Sequence, residues 1–403
     1  IVIMSSLNNR QLFFSHLAQT SDKPIGIEVA SAKGIYIYDT AGKAFMDLIS
    51  GFSVCNIGHS HPSVIKAIQE QAAQYMHVIV YGEFIQSPQV QYAKALATVL
   101  PDQLQSVYFT NSGAEAAEGA MKLAKRYTGR SEFISCFNAY HGASQGALSI
   151  AGDENFKNAF RPLLPDIRHI HHGCIANLTK ITHKTAAVVI EIVAGEAGVK
   201  TAPAAYFQAL RKRCTNTGTL LIVDEIQSGF GRTGTFWAYQ PMNIIPDILL
   251  TAKGMGGGMP IGAFIADTRL MNTLTNNPVL GHITTFGGHP VSCAAGKAAF
   301  EFLVHDTLVY DVKAKENILL ANIHHPSIQS IKSFGMWMAI AFDSFETNHA
   351  IIQKCIAKGL ITDWFLFAPN CMRIAPPLIA TEQELIDICN IINESMNEYS
   401  IAE

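Results

Sequence analysis

Short apolar runs alternate with stretches of helical periodicity through the middle of the chain. The apolar runs lie at residues 106–109, 132–136, 186–190, 220–223, 247–250 and 261–266. In the helical stretch 114–127, apolar residues at positions 117, 120, 121 and 124 share one face. Apolar runs without polar alternation are typical of parallel strands that are covered on both faces. The pattern therefore predicts an α/β fold with a mostly parallel central sheet and helices on both of its faces.

The two ends of the chain follow different patterns. Residues 21–50 alternate between apolar and polar positions, as short strands do. In the last hundred residues, helical patterns surround a few short strands, and Thr381 with Glu384 predicts a capping box. We predict three units: residues 1–50 as an N-terminal segment that packs with the small domain, residues 51–300 as the large α/β domain, and residues 301–403 as a small C-terminal α+β domain.

The composition narrows the class of protein. Of the 403 residues, 49% are hydrophobic and 15% are charged, which excludes an extended disordered chain. Because an ordinary chain is about one quarter charged, this one has apolar surface to bury, and we expect a large subunit interface. The net charge of −3 offers no basic excess for binding phosphate backbones, so nucleic acid is not an expected partner.

The cysteines and the start of the chain bear on its location. The eight cysteines contain no CxxC pair, which predicts reduced, mostly structural thiols. The opening residues IVIMSSLNNR lack the basic-then-apolar order of a signal peptide, and no segment has the character of a membrane span. We therefore expect a cytoplasmic protein without a membrane partner.

Several common catalytic motifs are missing from the sequence. It has no Walker A pattern, no dinucleotide-binding fingerprint, no HExxH and no GxSxG. The histidine pairs at positions 59/61 and 171/172 have no companion at metal-ligand spacing. We therefore predict no metal site.

Four features remain, each at the end of a predicted strand or in a loop. Residues 111–115 (NSGAE) begin a helix, where free backbone N–H groups bind an anion, unless they only cap the helix. Asp224 follows a buried strand at the sheet edge where α/β proteins bind ligands, unless it only caps the next turn. Lys253 follows another strand, and a lysine in a dry cleft becomes a nucleophile for carbonyls. Tyr140 lies in a loop after a strand, where an aromatic ring stacks on a planar ligand.

Together these four features match the needs of pyridoxal phosphate. The lysine would form a Schiff base, and the carboxylate would keep the pyridine nitrogen protonated. The helix start would hold the phosphate. The sequence therefore predicts this cofactor.

With these residues in place, the sequence resembles the class III aminotransferases, the ornithine and acetylornithine group of pyridoxal-phosphate fold type I. The resemblance covers nearly the whole chain and rests on an ordered set of motifs at 50–62, 224–229, 253, 285–288 and 373–378. It implies an aminotransferase that works by ping-pong transfer. A donor such as an ω-amine or a basic amino acid would give up its amino group, and 2-oxoglutarate would accept it to become glutamate.

The resemblance also implies roles for residues around the cofactor. Lys253 would be the Schiff-base lysine and the proton shuttle, and Asp224 would pair with the pyridine nitrogen. The phosphate would be held by Ser112, Gly113 and Ala114.

Other residues would complete the cofactor pocket and link two subunits. Gln227 would hydrogen-bond the ring oxygen, and Glu191 would line the pocket. Tyr140 would stack on the ring, and His141, next in the chain, belongs to the same predicted pocket. Thr285 would reach the phosphate of the neighbouring subunit, which requires a homodimer with active sites at the interface.

Three residues would bind substrate according to the same resemblance. Arg373 would hold the α-carboxylate through a bidentate fork. Glu196 would pair with Arg373 when an ω-amine donor has no carboxylate there. Phe52 occupies a position that faces the substrate in relatives.

The sequence departs from the family pattern in two regions. Residues 191–196 lack its usual proline and glutamine, and Ala143 stands where ornithine, acetylornithine and 4-aminobutyrate enzymes carry an arginine for the distal carboxylate. We expect an acetylornithine- or ornithine-like donor, with another ω-amino acid such as 4-aminobutyrate as an alternative. An aminomutase or a decarboxylase of the same fold is a further alternative, and a non-catalytic binding protein is a distant one.

Overall fold

The fold is taken from a computed structural model that describes residues 7–306 and 308–402. Residues 1–6, which belong to the opening segment discussed above, lie outside the described residues, as do residues 307 and 403. The helices span Asn9–His16, Pro62–Gln74, Ser87–Ala97, Gly113–Thr128, Gln145–Ile150, Ala204–Thr217, Thr268–Met271, Pro290–His305, Leu308–Asn322, Phe345–Ala357 and Glu382–Ala402. The strands are β1 (Val29–Lys33), β2 (Tyr36–Asp39), β3 (Ala44–Asp47), β4 (Ser106–Thr110), β5 (Glu132–Cys136), β6 (Ile167–Ile170), β7 (Thr185–Glu191), β8 (Leu220–Asp224), β9 (Ile248–Ala252), β10 (Gly262–Ala266), β11 (Ser330–Ser333), β12 (Met338–Ala341), β13 (Leu360–Ile361), β14 (Trp364–Phe365) and β15 (Ala368–Ile374).

A seven-stranded sheet forms the centre, in the order β4-β10-β9-β8-β7-β5-β6. Strands β5 to β9 pair in parallel, which confirms the predicted sheet. Strand β10 is antiparallel to both β4 and β9, so a parallel orientation for the apolar run at 261–266 is wrong. Since β9 ends at Ala252 and β10 begins at Gly262, the connection is too short for the crossover that parallel neighbours require.

Alternate side chains of the central strands point to opposite sides of the sheet. Val188 belongs to one apolar cluster, to which the helix Ala204–Thr217 contributes. Val189 belongs to the other, which contains apolar residues of the helix Gly113–Thr128. The strands are therefore apolar at every position because helices cover both faces, as the sequence pattern predicts.

The N-terminal strands join the C-terminal part of the chain. Strands β1, β2, β3 and β13 form one sheet, in which Met46 pairs with Leu360. A third sheet, in the order β11-β12-β15-β14, carries Arg373 on β15. The helix Pro290–His305 runs across the predicted boundary at residue 300, and the domain limits stay a prediction.

The edge strand β6 was not expected from the sequence. Its residues Ile-Arg-His-Ile have two polar side chains in the middle, so they do not form the apolar run that marks the other strands, and β6 has a sheet neighbour, β5, on one side only. The N-terminal capping box of the last helix is present, with Thr381 and Glu384 bonding each other's backbone N–H groups. In the described part of the chain, no helix is both long enough and apolar enough to cross a bilayer.

Candidate active site

Strands β4, β5, β7, β8 and β9 direct their carboxyl ends to one edge of the central sheet. In α/β sheets this edge is where ligands bind. A cavity of about 570 Å³ lies there, and the predicted cofactor-binding residues that line it are Ser112, Gly113, Ala114, Tyr140, His141, Glu191, Asp224, Gln227 and Lys253. Residues distant in the sequence therefore meet at one place because their strands are neighbours.

Asp224 is fixed at the end of β8 by two contacts. Its Oδ1 atom accepts a hydrogen bond from the backbone N–H of Ile226 at 2.9 Å, and its Oδ2 atom lies 2.7 Å from Nδ1 of His141. Both side chains are buried, and a buried carboxylate is unfavourable without such partners. The carboxylate is therefore held in one orientation toward the cavity that it lines.

Lys253 directly follows β9 and lines the same cavity. Its Nζ atom donates a hydrogen bond to Oε1 of Gln227 at 3.1 Å. Desolvation lowers the pKa of the Lys253 amine below its ordinary value, although Glu196 and Asp224 oppose the shift. A lysine in this environment loses its proton more readily, and the free amine is a nucleophile and a base.

The start of the helix Gly113–Thr128 faces the cavity as an anion site. Ser112 caps the helix, its Oγ atom accepting the backbone N–H of Glu115 at 3.2 Å. The N–H groups of Gly113 and Ala114 lie in the first turn, where no intrahelical acceptor is available. A Cβ atom on Gly113 would lie 2.7 Å from Cδ1 of Ile226, so a larger residue here would force the Ile226 side chain to move. A phosphate here would meet free N–H groups and the positive end of the helix dipole.

Unpartnered polar atoms test whether pyridoxal phosphate suits this cavity. Among the described residues, three such buried atoms belong to its lining: Nε2 of His141, Oε2 of Glu191 and Nε2 of Gln227. Burial raises the pKa of Glu191 well above its usual value, and the charges of Asp224 and Glu196 add to the effect. A polar ring with a phosphate arm suits this combination of an anion site, a carboxylate, an amine and spare hydrogen-bonding groups. The residues present therefore fit the cofactor.

A second cavity, of about 790 Å³, also reaches Lys253 and Tyr140. Its lining includes Phe52, Glu196 and Arg373, the three residues predicted to bind substrate. The structure thus places the predicted substrate residues beside the predicted nucleophile.

Arg373 is held at three of its nitrogen atoms. Its Nη1 and Nη2 atoms donate to the two carboxylate oxygens of Glu196, each at 3.1 Å, and Nε donates to Asp363 at 2.7 Å. Burial opposes the ionisation of Glu196, but Arg373 together with the Leu366 N–H and the charge of Lys253 outweighs it, so the pKa of Glu196 lies below its usual value. Burial raises the pKa of Asp363 to about 6, against the pull of Arg373. Sequence reasoning missed Asp363, since no motif marks it.

A left-handed turn at Ser50–Ser53 was also missed from the sequence. The four residues have φ values of 50°, 58°, 62° and 68°, although only one of them is glycine. This conformation costs roughly 1–2 kcal/mol for each residue with a side chain. It brings the ring of Phe52 to 4.9 Å from Cζ of Arg373, and Phe365 lies 4.2 Å from the same atom.

Thr285 and Ala143, two positions discussed from the sequence, are both exposed, unlike the buried residues described above. Thr285 is exposed and does not line the cofactor cavity of its own chain; its carbonyl oxygen lies 2.8 Å from Nε2 of His77. Its role toward a neighbouring subunit stays a prediction. Ala143 is exposed and lines the cofactor cavity, where it contributes no charge. Within residues 7–306 and 308–402, no group of three or more His, Cys, Asp or Glu side chains is arranged to hold a metal ion.

Comparison with known families decides the class of this protein. The family model described as "Aminotransferase class-III" matches residues 17–396. The chain belongs to this family. Its fold, its enzyme class and its pyridoxal phosphate cofactor, all predicted from the sequence, are therefore confirmed.

Individual relatives agree with the family assignment. The class III aminotransferase chain is 35% identical over 389 residues to the acetylornithine aminotransferase of Bacillus cereus, covering 94% of this chain and 97% of the relative. It is 34% identical over 364 residues to the acetylornithine aminotransferase of Methanopyrus kandleri, covering 89% and 91%. A crystal structure of the ornithine aminotransferase from Toxoplasma gondii, with partial occupancy of PLP at its active site, superimposes with a TM-score of 0.89 at 27% identity, covering 97% of this chain and 93% of that one.

Proposed function

We propose that this aminotransferase moves an amino group from an ω-amine or a basic amino acid, of the acetylornithine or ornithine type, to 2-oxoglutarate. Its acetylornithine aminotransferase relatives support the donor class. The pairing of Arg373 with Glu196 in the cavity of Lys253 carries the proposal, because one site can thereby accept two kinds of substrate. A substrate with a carboxylate at this place would pair with Arg373, and Glu196 pairs with Arg373 when the substrate has none.

The two substrates bind in separate halves of the reaction. During the donor half, Glu196 keeps the charge of Arg373 paired, so an amine needs no carboxylate at that position. During the acceptor half, a carboxylate of 2-oxoglutarate takes the place of Glu196 on the same bidentate fork. Because both substrates occupy one cavity, the first product leaves before the acceptor enters, which is ping-pong transfer.

Several residues would hold the cofactor and move the proton. Ser112, Gly113 and Ala114 would bind the phosphate, and Asp224 would pair with the ring nitrogen. Pyridoxal phosphate, when bound, supplies a ring that withdraws the electron pair left on the substrate carbon. Lys253 would take the proton from that carbon and deliver it to the cofactor carbon on the other side of the amino nitrogen, a task that suits an amine of lowered pKa.

Further residues would complete the pocket around the ring. Tyr140 would stack on it, Gln227 would donate to its oxygen from the unpartnered Nε2 atom, and Glu191 would border it. His141 would hold Asp224 in place through the 2.7 Å contact.

We also propose a homodimer in which Thr285 reaches the partner's phosphate site. Large apolar side chains are exposed on two adjoining segments: Met76 (62%), Ile85 (97%), Val279 (70%) and Phe286 (54%). His77 links these segments, since its ring lies 5.0 Å from that of Phe286. Light scattering should give twice the 43.8 kDa mass of one chain, whereas a fully active monomer would contradict the proposal.

A donor screen tests the proposed reaction. The protein loaded with pyridoxal phosphate is incubated with 2-oxoglutarate and acetylornithine, ornithine, 4-aminobutyrate or a simple diamine, and glutamate is measured. We expect glutamate from acetylornithine or ornithine, with parallel lines in double-reciprocal plots. Product formed without any keto acid would indicate an aminomutase, and release of carbon dioxide would indicate a decarboxylase. Absence of glutamate with both donors contradicts the proposed donor class.

A further inference from the structure

An ion pair between a buried carboxylate and a partly buried histidine lies close in the sequence to a residue of the substrate cavity. Phe52 lines the cavity that contains Lys253 and Arg373. Five residues before Phe52 stands Asp47, which is 3% exposed, and its Oδ2 atom lies 2.8 Å from Nε2 of His59. The pair therefore brackets the left-handed turn that carries Phe52.

Asp47 holds the backbone where this turn begins. Its Oδ1 atom accepts the N–H groups of Ile49 at 2.7 Å and of Ser50 at 2.9 Å. Ser50 in turn donates from Oγ to the carbonyl oxygen of Ala375 at 2.6 Å. Because His59 binds the other oxygen, the Asp47 carboxylate cannot rotate without losing one of these contacts. The residues at which the turn begins are therefore held by Asp47 and by Ala375.

The turn contacts the residue that follows Lys253 and also contacts Arg373. A Cβ atom on Gly254, the residue after Lys253, would lie 3.2 Å from the carbonyl oxygen of Ser53, so the backbones are in close contact. On the other side, the ring of Phe52 lies over the guanidinium of Arg373. Left-handed residues with side chains persist only where their neighbours hold them. The contacts of Asp47 and the hydrogen bond from Ser50 to Ala375 are such restraints.

We infer that Asp47 and His59 are positioning residues for the keto-acid subsite: they hold the turn so that Phe52 covers Arg373. The inference rests on the proposed function, in which Arg373 binds a carboxylate of 2-oxoglutarate. A ring over the guanidinium attracts the cation and shields the fork from water, which strengthens carboxylate binding.

The charge state of the pair agrees with this role. The hydrogen bond to Asp47 raises the pKa of His59 to about 10, with a smaller contribution from Cys55. The histidine is therefore protonated at neutral pH, and the contact is a charge-assisted one.

Substitution of His59 separates positioning from general stability. We expect His59→Leu to raise the KM for 2-oxoglutarate about tenfold while kcat stays within about threefold. His59→Gln, whose amide can donate to Asp47, should recover most of the loss. The matched control is His61→Leu, because His61 contacts Ser63 and Phe302 and not Asp47, and it should leave the KM unchanged.

A double-mutant cycle shows whether His59 acts through Phe52. Phe52→Ala should raise the KM by a similar factor, and His59→Leu should add little in that background. Binding of glutarate, an unreactive dicarboxylate, is measured by calorimetry on the loaded enzyme and should weaken in parallel. If His59→Leu does not fold, Asp47→Asn is measured in its place.

The outcomes distinguish this inference from the proposed function. Multiplied effects in the double variant, or a KM change in His61→Leu equal to that in His59→Leu, would overturn the positioning role. So would a fall in kcat with KM and glutarate binding unchanged. If Arg373→Gln leaves the KM for 2-oxoglutarate unchanged, the proposed acceptor site itself fails, whatever the His59 variants show.

Discussion

The Nζ atom of Lys253 donates to Oε1 of Gln227 at 3.1 Å, which holds the amine inside the cavity lined by Asp224 and Glu191. The hydrogen bond to Gln227 therefore orients the amine, and desolvation lowers its pKa. This arrangement makes Lys253 the residue on which the proposed chemistry depends most strongly.

Removal of this amine should abolish both attachment and turnover. Lys253→Ala loses the nucleophile and the base together, so we expect transamination to fall by a factor on the order of a thousand or more. Borohydride treatment followed by mass spectrometry should find no cofactor bound covalently to the variant. The control is the exposed Lys33→Ala, which should retain both properties. Appreciable turnover by the Lys253 variant would refute the assigned role.

An arginine at position 143 should favour donors that carry a distal carboxylate. Ala143 is exposed and supplies no charge, so a larger side chain has room there. Since a charged hydrogen bond is worth about 1.5–3 kcal/mol, Ala143→Arg should lower the KM for acetylornithine about tenfold or more. The KM for an amine without a carboxylate should stay the same. An equal gain from Ala143→Met would show that size, not charge, matters.

Loss of the charge on Glu196 should shift the balance between the two substrates. In Glu196→Gln, the fork of Arg373 no longer faces a competing carboxylate, so we expect the KM for 2-oxoglutarate to fall about fivefold. The KM for an amine donor without a carboxylate should rise, because the arginine charge is then less fully paired. Initial-rate kinetics on each substrate separately check both directions. Parallel changes in the two KM values would contradict the exchange.

Glu225 should make stability depend on pH. It is fully buried and accepts hydrogen bonds from Ser228, Ala238 and Tyr239. Burial raises its pKa to about 7 from an ordinary 4.5, so the folded state binds the proton more tightly than the unfolded state. This stabilisation is present below pH 4.5 and is lost as the pH rises through 7.

A variant without this titration provides the measurement. The unfolding free energy of the wild type minus that of Glu225→Gln should be about 2 kcal/mol larger at pH 5 than at pH 8. Denaturant unfolding at the two pH values tests it. A difference that does not change with pH would show that Glu225 titrates normally.

The placement of Asp224 and Lys253 at one edge of the sheet could be predicted, because it follows from the local hydrophobic pattern and from sheet geometry. Asp224 and Lys253 each follow an apolar run, and parallel strands bring such ends to one edge. Strand β10 was misread because an apolar run has the same composition in either orientation, and only the short connection before it decides.

Other parts of the site could not be predicted because they depend on distant contacts. Asp363 meets Arg373 only because strands β14 and β15 fold back on each other. The left-handed turn contains a single glycine, so its backbone is set by Asp47 and Ala375 and not by local preference.

Residues at the entrance of the site are more exposed than the strands that carry Asp224 and Lys253, and this difference affects how the enzyme can evolve. Phe52, Ala143 and Trp364 are exposed, whereas the strands that end at Asp224 and just before Lys253 are buried in the core. Exposed substitutions away from strained or hydrogen-bonded residues usually change stability by no more than about 0.5 kcal/mol, and Ala143 is such a position. After gene duplication, activity on a new amine donor can therefore arise through a few tolerated substitutions. Laboratory selection should find improved variants around the entrance of the site, with Asp224 and Lys253 unchanged.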